Sequence, residues 1–158
     1  MANVTLLNSL IAMVLQDFPE SLVVAMLAFS LLNFRFQAKK ILTVAALQAV
    51  TNQLQLFNIN SGVHVAVMVV SLAIYIRVLA RPILSRSLLA ALISYLVLLI
   101  VEAASVPPLL KIIGLALPAA YANPFLRSAF TLPYEVVLLL AALAKNYYNR
   151  KRGLIVET

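Results

Sequence analysis

Long apolar runs, each able to cross a bilayer as a helix, take up nearly all of this 158-residue chain, and four of its five acidic residues lie inside or against them. Those four are Asp17, Glu20, Glu102 and Glu135; Glu157 lies in the C-terminal stretch. A helix needs about 20 apolar residues to cross the roughly 30 Å hydrocarbon core. A carboxylate placed there is costly unless it is protonated, paired or wetted. With 64% hydrophobic and 11% charged residues and a mean hydropathy of +1.03, the composition lies outside the range of soluble domains. The chain reads as a single integral membrane domain over 1–158, all-α, in the plasma membrane, with a polar interior.

Five spans are expected. The first hydrophobic stretch is interrupted by Gln16-Asp17-Phe18-Pro19-Glu20-Ser21, and proline removes a donor and crowds the preceding turn. That predicts an outer segment at 3–16 joined, through a break or kink at Pro19, to a membrane helix at 18–34. If 4–16 crosses by itself, the count becomes six. The other spans are expected at 41–57, 63–79, 87–105 and 124–145, with Pro107-Pro108 ending the fourth and a bend at Pro133 in the fifth. The segment 109–122 is too short to cross and carries Gly114 and Pro118, so it is expected to be re-entrant or interfacial.

Lys/Arg bias sets orientation. With the N-terminus outside and the C-terminus inside, ten of the twelve basic residues fall on the cytoplasmic side, leaving Lys111 and Arg127 outside. The cytoplasmic ones include Arg35, Lys39 and Lys40 and the short basic tail 146–158 with Arg150, Lys151 and Arg152. MANVTLLNSL lacks a basic n-region, so a cleaved signal peptide is not expected.

From the rise per helical residue, Glu20 lies about 21 Å, Glu102 about 22 Å and Glu135 about 15 Å above the inner boundary. Gln48, Asn52 and Gln55 follow i, i+4, i+7 spacing and share one helical face, a stripe suited to other helices or a wet cavity. Arg127, two turns above Glu135, is the expected countercharge. Asp17, Glu20, Gln48, Asn52, Gln55, Glu102, Arg127 and Glu135 are therefore the candidate polar pocket, with Pro19 and Pro133 as hinges. Two readings stay open: an outward-opening ligand pocket, or interhelical hydrogen bonds that only fix packing. A proton or cation relay through Glu135 and Glu102 is a third. His64, next to a short outer turn, reads as a loop-edge hydrogen bonder or a pH sensor.

Several chemistries are not expected. The net charge of +7 sits in short stretches between apolar runs, which argues against nucleic acid. There is no cysteine and one histidine, so neither a metal nor another cofactor is implied. No phosphate loop, H-E-x-x-H, G-x-S-x-G or S-x-x-K motif is present, and no catalytic residues are assigned: the chain is not read as an enzyme. Two stretches, DFPESLVVAMLAFSLLNFRFQAKK and TLPYEVVLLLAALAKNYYNRKRG, both run proline, acid, apolar helix and basic end, as paired broken helices do in binding bundles.

Asp17-Phe18-Pro19-Glu20-Ser21-Leu22, Gly62-Val63-His64, and Asn123-Pro124-Phe125-Leu126-Arg127 followed by Leu132-Pro133 resemble the membrane input regions of sporulation-type and peptide-quorum-type sensor histidine kinases of Gram-positive bacteria, and their stand-alone relatives. The resemblance implies a polytopic bundle that receives a signal from outside or within the membrane. Within these 158 residues the phospho-acceptor histidine and the ATP-binding Asn and Gly motifs of such kinases are not seen, so the chain is not expected to act as a kinase itself. Transmission is then expected through a cytoplasmic or membrane partner held by Arg35, Lys39, Lys40, Arg150, Lys151 and Arg152, with homo-oligomerisation open. The competing expectation is a small ion-coupled transporter or the substrate-binding membrane subunit of a transporter.

Overall fold

The computed structural model describes residues 10–54, 60–114 and 123–156. Among them the chain is all-α: α1 (Leu10–Leu31), α2 (Ala38–Asn52), α3 (Ser61–Ala80), α4 (Leu84–Ile113) and α5 (Pro124–Lys151). All but α2 are long and apolar enough to cross a membrane. The 15-residue α2 rises only about 22 Å and packs between α1 and α3. It falls short of the 41–57 span expected; of that stretch, 55–57 lies outside the described residues.

The disturbance expected at Pro19 takes the form of a π-helical turn, Met13–Asp17, with the Phe18 amide donating to Met13 O. Proline cannot donate to the carbonyl four residues back, and a widened turn ahead of it makes room for the ring. The chain stays helical from Leu10 to Leu31 rather than breaking, and the extra residue per turn brings neighbours Gln16 and Asp17 both to the buried side.

Pro107 and Pro108 do not end α4. The helix continues to Ile113 and stops where Gly114 turns left-handed (φ 72°) and its amide caps Leu110 O. Both rings are exposed, on the outer side of the helix, and proline's fixed φ is itself helical; only the amide donors are lost. Leu109–Ile113, expected in a re-entrant segment, therefore extend α4, while 115–122 lies outside the described residues. Helix α5 likewise runs through Pro133 and continues to Lys151, beyond the expected end at 145. It opens with an Asn123 cap, whose side chain accepts from the Phe125 amide at 2.9 Å, and Pro124 at its first turn.

Cross-helix bonds give the directions. Gln53, just past α2, meets Asp17 in α1, and Asn52 at the end of α2 meets His64 at the start of α3, so both pairs are antiparallel. Glu20 bonds Tyr134 and Ser30 bonds Asn149, so α1 and α5, the two proline-acid helices, run parallel and pack closely along their length. Small residues permit close approach across the bundle: Ala25, Ala28 and Ala142 in α1 and α5, Ala45 in α2 and Ala91 in α4 are fully buried. Large apolar side chains such as Val50, Val78, Leu92, Ile100 and Leu140 point outward, as a lipid-facing surface requires.

The ends of α1 and α5 share one motif. Phe34 N bonds Phe29 O at 3.0 Å and Asn33 N bonds Ser30 O at 3.2 Å, with Asn33 left-handed at φ 60°. Leu154 N bonds Asn149 O at 3.0 Å and Gly153 N bonds Arg150 O at 3.1 Å, with Gly153 at φ 66°. Both are Schellman caps. The first carries the accompanying hydrophobic contact, Phe29 against Phe34 edge to face at 6.1 Å. The segments that follow are joined by Val156 N to Asn33 O (2.9 Å) and Arg35 N to Val156 O (3.3 Å).

Candidate functional site

A cavity of about 220 Å³ opens at the acidic end of the bundle, and each of the five helices contributes to its wall. Helix α1 supplies Gln16 and Glu20, α2 Asn52, α3 His64 and Met68, α4 Tyr95 and Glu102, and α5 Arg127. The π-turn explains Gln16 and the capped start of α5 explains Arg127: each sits where a helix irregularity aims a polar side chain inward. Tyr95 and Glu102, seven residues apart, share one face of α4.

Four of the sequence-derived candidates, Glu20, Asn52, Glu102 and Arg127, line this space. Asp17 lies behind the wall. Gln53 Nε2 donates to its Oδ2 at 2.6 Å, Asn52 also bonds it, and the Arg127 guanidinium acts on both Asp17 and Glu102. Gln48 closes the floor: its amide donates to Met68 O and to Tyr95 OH, each at 2.8 Å, and Ser71 Oγ donates to its Oε1 at 3.2 Å. Because Tyr95 accepts from Gln48, its own hydroxyl hydrogen remains available to donate. Glu135 does not line the cavity; it is buried beside Thr131, with Oε1 lacking a partner. The residue that reaches Glu20 is its neighbour Tyr134, which donates to Oε2 at 2.7 Å. Gln55 lies outside the described residues.

Gln16, His64, Tyr95 and Tyr134 are functional neighbours that the sequence reading did not place in the pocket. His64 is the hydrogen bonder anticipated, to Asn52 Oδ1 at 3.0 Å, but it also walls the cavity. Gln16 is one helical turn from Glu20, a spacing that signals a shared face. Gln16 lines the cavity, and its Oε1 is buried with no hydrogen-bond partner. Leaving such an acceptor unsatisfied costs about 1–3 kcal/mol.

Beyond Gln48 the interior turns dry. Val24, Ala28, Leu72, Ile76, Ala91 and Leu138 are essentially inaccessible. The Ser30 and Ser94 hydroxyls turn back on their own helices, to Leu27 O at 2.7 Å and Ala90 O at 2.8 Å. Among the described residues no cluster of three or more His, Asp or Glu side chains is placed to hold a metal ion. Comparison with protein-family models, curated proteins and solved structures finds no match for this chain.

Proposed function

We propose that this multi-pass membrane protein is a non-enzymatic sensing module, oriented N-terminus outside in the plasma membrane, whose outward cavity binds a small cationic or zwitterionic molecule and acts through a partner. The observation that carries the reading is a polar cavity lined by Gln16, whose buried Oε1 has no hydrogen-bond partner, an acceptor that a donor-bearing ligand would satisfy after a small side-chain rotation. The charge balance supports the ligand class. Asp17, Glu20 and Glu102 act on one another or on Arg127, so among the described residues acidic groups outnumber basic ones here, and Arg127 suits a ligand's carboxylate. The resemblance to sensor-kinase input regions supports signalling as the output.

Transport, the other reading, draws on the same carboxylates. The apolar packing below Gln48 and Tyr95 counts against it: among the described residues Val24, Leu72, Ile76 and Leu138 fill the interior between the cavity and the basic end.

The chain has no cysteine, so single reporters are clean. Gln16→Cys and His64→Cys, in intact cells, should prefer the impermeant cationic reagent MTSET over anionic MTSES about tenfold more strongly than the exposed control Asn60→Cys does, the direction expected of a focused negative field. Glu20→Gln with Glu102→Gln should erase that preference. Failure of both reagents at both positions, with Asn60→Cys reactive as the exposed control, overturns the open cavity. Counterflow across proteoliposomes for a panel of amines and amino acids would instead favour transport.

A further inference from the structure

Glu135 is a buried carboxyl that takes no part in the cavity. It sits near the middle of α5, 6% exposed, and its Oε1 is sealed from solvent with no hydrogen-bond partner. An ionised carboxylate in that position needs donors or a cation. The neighbouring hydroxyls are already committed. Tyr134, next in sequence, gives its hydrogen to Glu20 Oε2 at 2.7 Å. Thr131, one turn back and the hydroxyl that acts on Glu135, gives its own to Ser128 O at 2.8 Å. A hydroxyl has one hydrogen, so toward Glu135 Thr131 can only accept. The described cations of the two long neighbours are also directed elsewhere: Arg127 acts on Asp17 and Glu102, Lys145 stacks on Tyr148, and Lys111 is exposed. What α1 and α4 bring to this level of the bundle is acids and a phenol, Asp17 and Glu20 from the first, Glu102 and Tyr95 from the second.

We propose that Glu135 is a proton-binding site inside the bundle: the carboxyl is held as the neutral acid, its hydrogen directed at Thr131 Oγ1, and it gives that hydrogen up only as the medium turns alkaline. The bonds from Glu135 to Thr131 Oγ1 and on to Ser128 O then run in one direction, with every hydrogen used once. Oε1, the oxygen without a partner, becomes the carbonyl oxygen of the acid. A neutral carbonyl oxygen is far less costly to leave unpaired than a carboxylate. The neutral form also adds no charge beside Glu20, on which Glu102, Asp17 and Glu135 all act. Ionised, Glu135 would set a like charge across the contact between α1 and α5. The proton is therefore a condition of that contact, and the site is a pH-sensitive lock on the two parallel helices. The inference rests neither on the ligand proposed for the cavity nor on a sensing role.

Infrared spectroscopy of the purified full-length protein in detergent reads the C=O stretch of protonated carboxyls directly. At mildly acidic pH, where an exposed glutamate is already ionised, Glu135→Gln should remove a single carboxyl's share of that band. Raising the pH on the wild type should bleach the same component. Thr131→Val keeps the shape of the side chain and removes the acceptor; it should shift the component to higher frequency, because an acid O–H released from its acceptor leaves a stiffer C=O. A band unchanged in Glu135→Gln, or lost only in Glu20→Gln, overturns the site. So does a component that Thr131→Val leaves in place, since the hydrogen would then point elsewhere. The lock is read by thermal unfolding. The melting temperature of the wild type should fall as pH rises, because the native chain holds a proton that the unfolded chain does not, and Glu135→Gln should flatten that fall. Identical pH slopes in the two proteins overturn the lock. If Glu135→Gln does not fold, the shift in Thr131→Val decides alone.

Discussion

The two ends of this bundle are built by opposite means. At the acidic end, five helices meet through side chains: Gln53 to Asp17, Asn52 to His64, Tyr134 to Glu20, Gln48 to Tyr95. At the basic end, α1 and α5 end in backbone caps and are joined by backbone bonds between Asn33, Arg35 and Val156, to which the Asn146 and Asn149 amides add bonds to the Phe34 and Ser30 carbonyls. Side-chain bonds can be exchanged for bonds to a ligand without undoing a helix, whereas capped backbone cannot. The contrast assigns exchange to the acidic end and anchoring to the basic end. Helices α1 and α5 run from one to the other. A ligand that competes for Glu20 would release Tyr134 and change how the two helices separate above a fixed base.

Breaking the anchor should give the largest effect. Phe29 is fully buried and supplies the edge-to-face contact that completes the first cap. Phe29→Ala should lower stability in detergent by about 3–5 kcal/mol, measured by thermal unfolding, while the MTSET-over-MTSES preference at Gln16→Cys persists in the folded fraction. Loss of that preference at full occupancy of the fold would mean the two ends are not separable.

Tyr134→Phe acts at the other end. It removes the 2.7 Å bond and leaves Glu20 Oε2 without that donor, a loss of about 1–3 kcal/mol for a hydrogen bond to a carboxylate. Here the reagent preference should move as well as the melting temperature. Glu135→Gln should leave the preference unchanged, because Glu135 does not face the cavity. Next in size, Asn149→Leu removes the 2.7 Å bond to Ser30 O but also removes Oδ1, which is buried without a partner. The two nearly offset, and the net cost should be about 1 kcal/mol, with no effect at Gln16→Cys.

The division between ends also marks what could be read from the residues. Apolar runs of membrane length announce themselves, and acids within them stand out because the bilayer penalises them, so the helices and the cluster of Glu20, Glu102 and Arg127 were within reach of the sequence. Helix phase was not. One residue rotates a side chain by about 100°, enough to give Tyr134 the bond to Glu20 and turn Glu135 aside, and the π-turn resets the phase of Gln16 and Asp17 besides. Pro107 and Pro108 misled for a related reason: a rule about where helices end does not say which way the rings face, and here they face outward while Gly114 does the terminating. Nothing local in the chain marks the clamp between the ends of α1 and α5, because it is made by Val156 pairing with Asn33, far away in sequence.

The smallest effect is also the finest test of the anchor. The two caps have the same hydrogen bonds, but a left-handed asparagine, Asn33, stands in one and a glycine, Gly153, in the other. Glycine adopts this conformation without strain, and asparagine tolerates it at some cost. Asn33→Gly should therefore raise stability by about 0.5 kcal/mol and Gly153→Asn should lower it by about the same amount. A change at Asn33 alone would mean that the C-terminal cap contributes little to the anchor. The clamp would then rest on α1 and its Phe29–Phe34 contact.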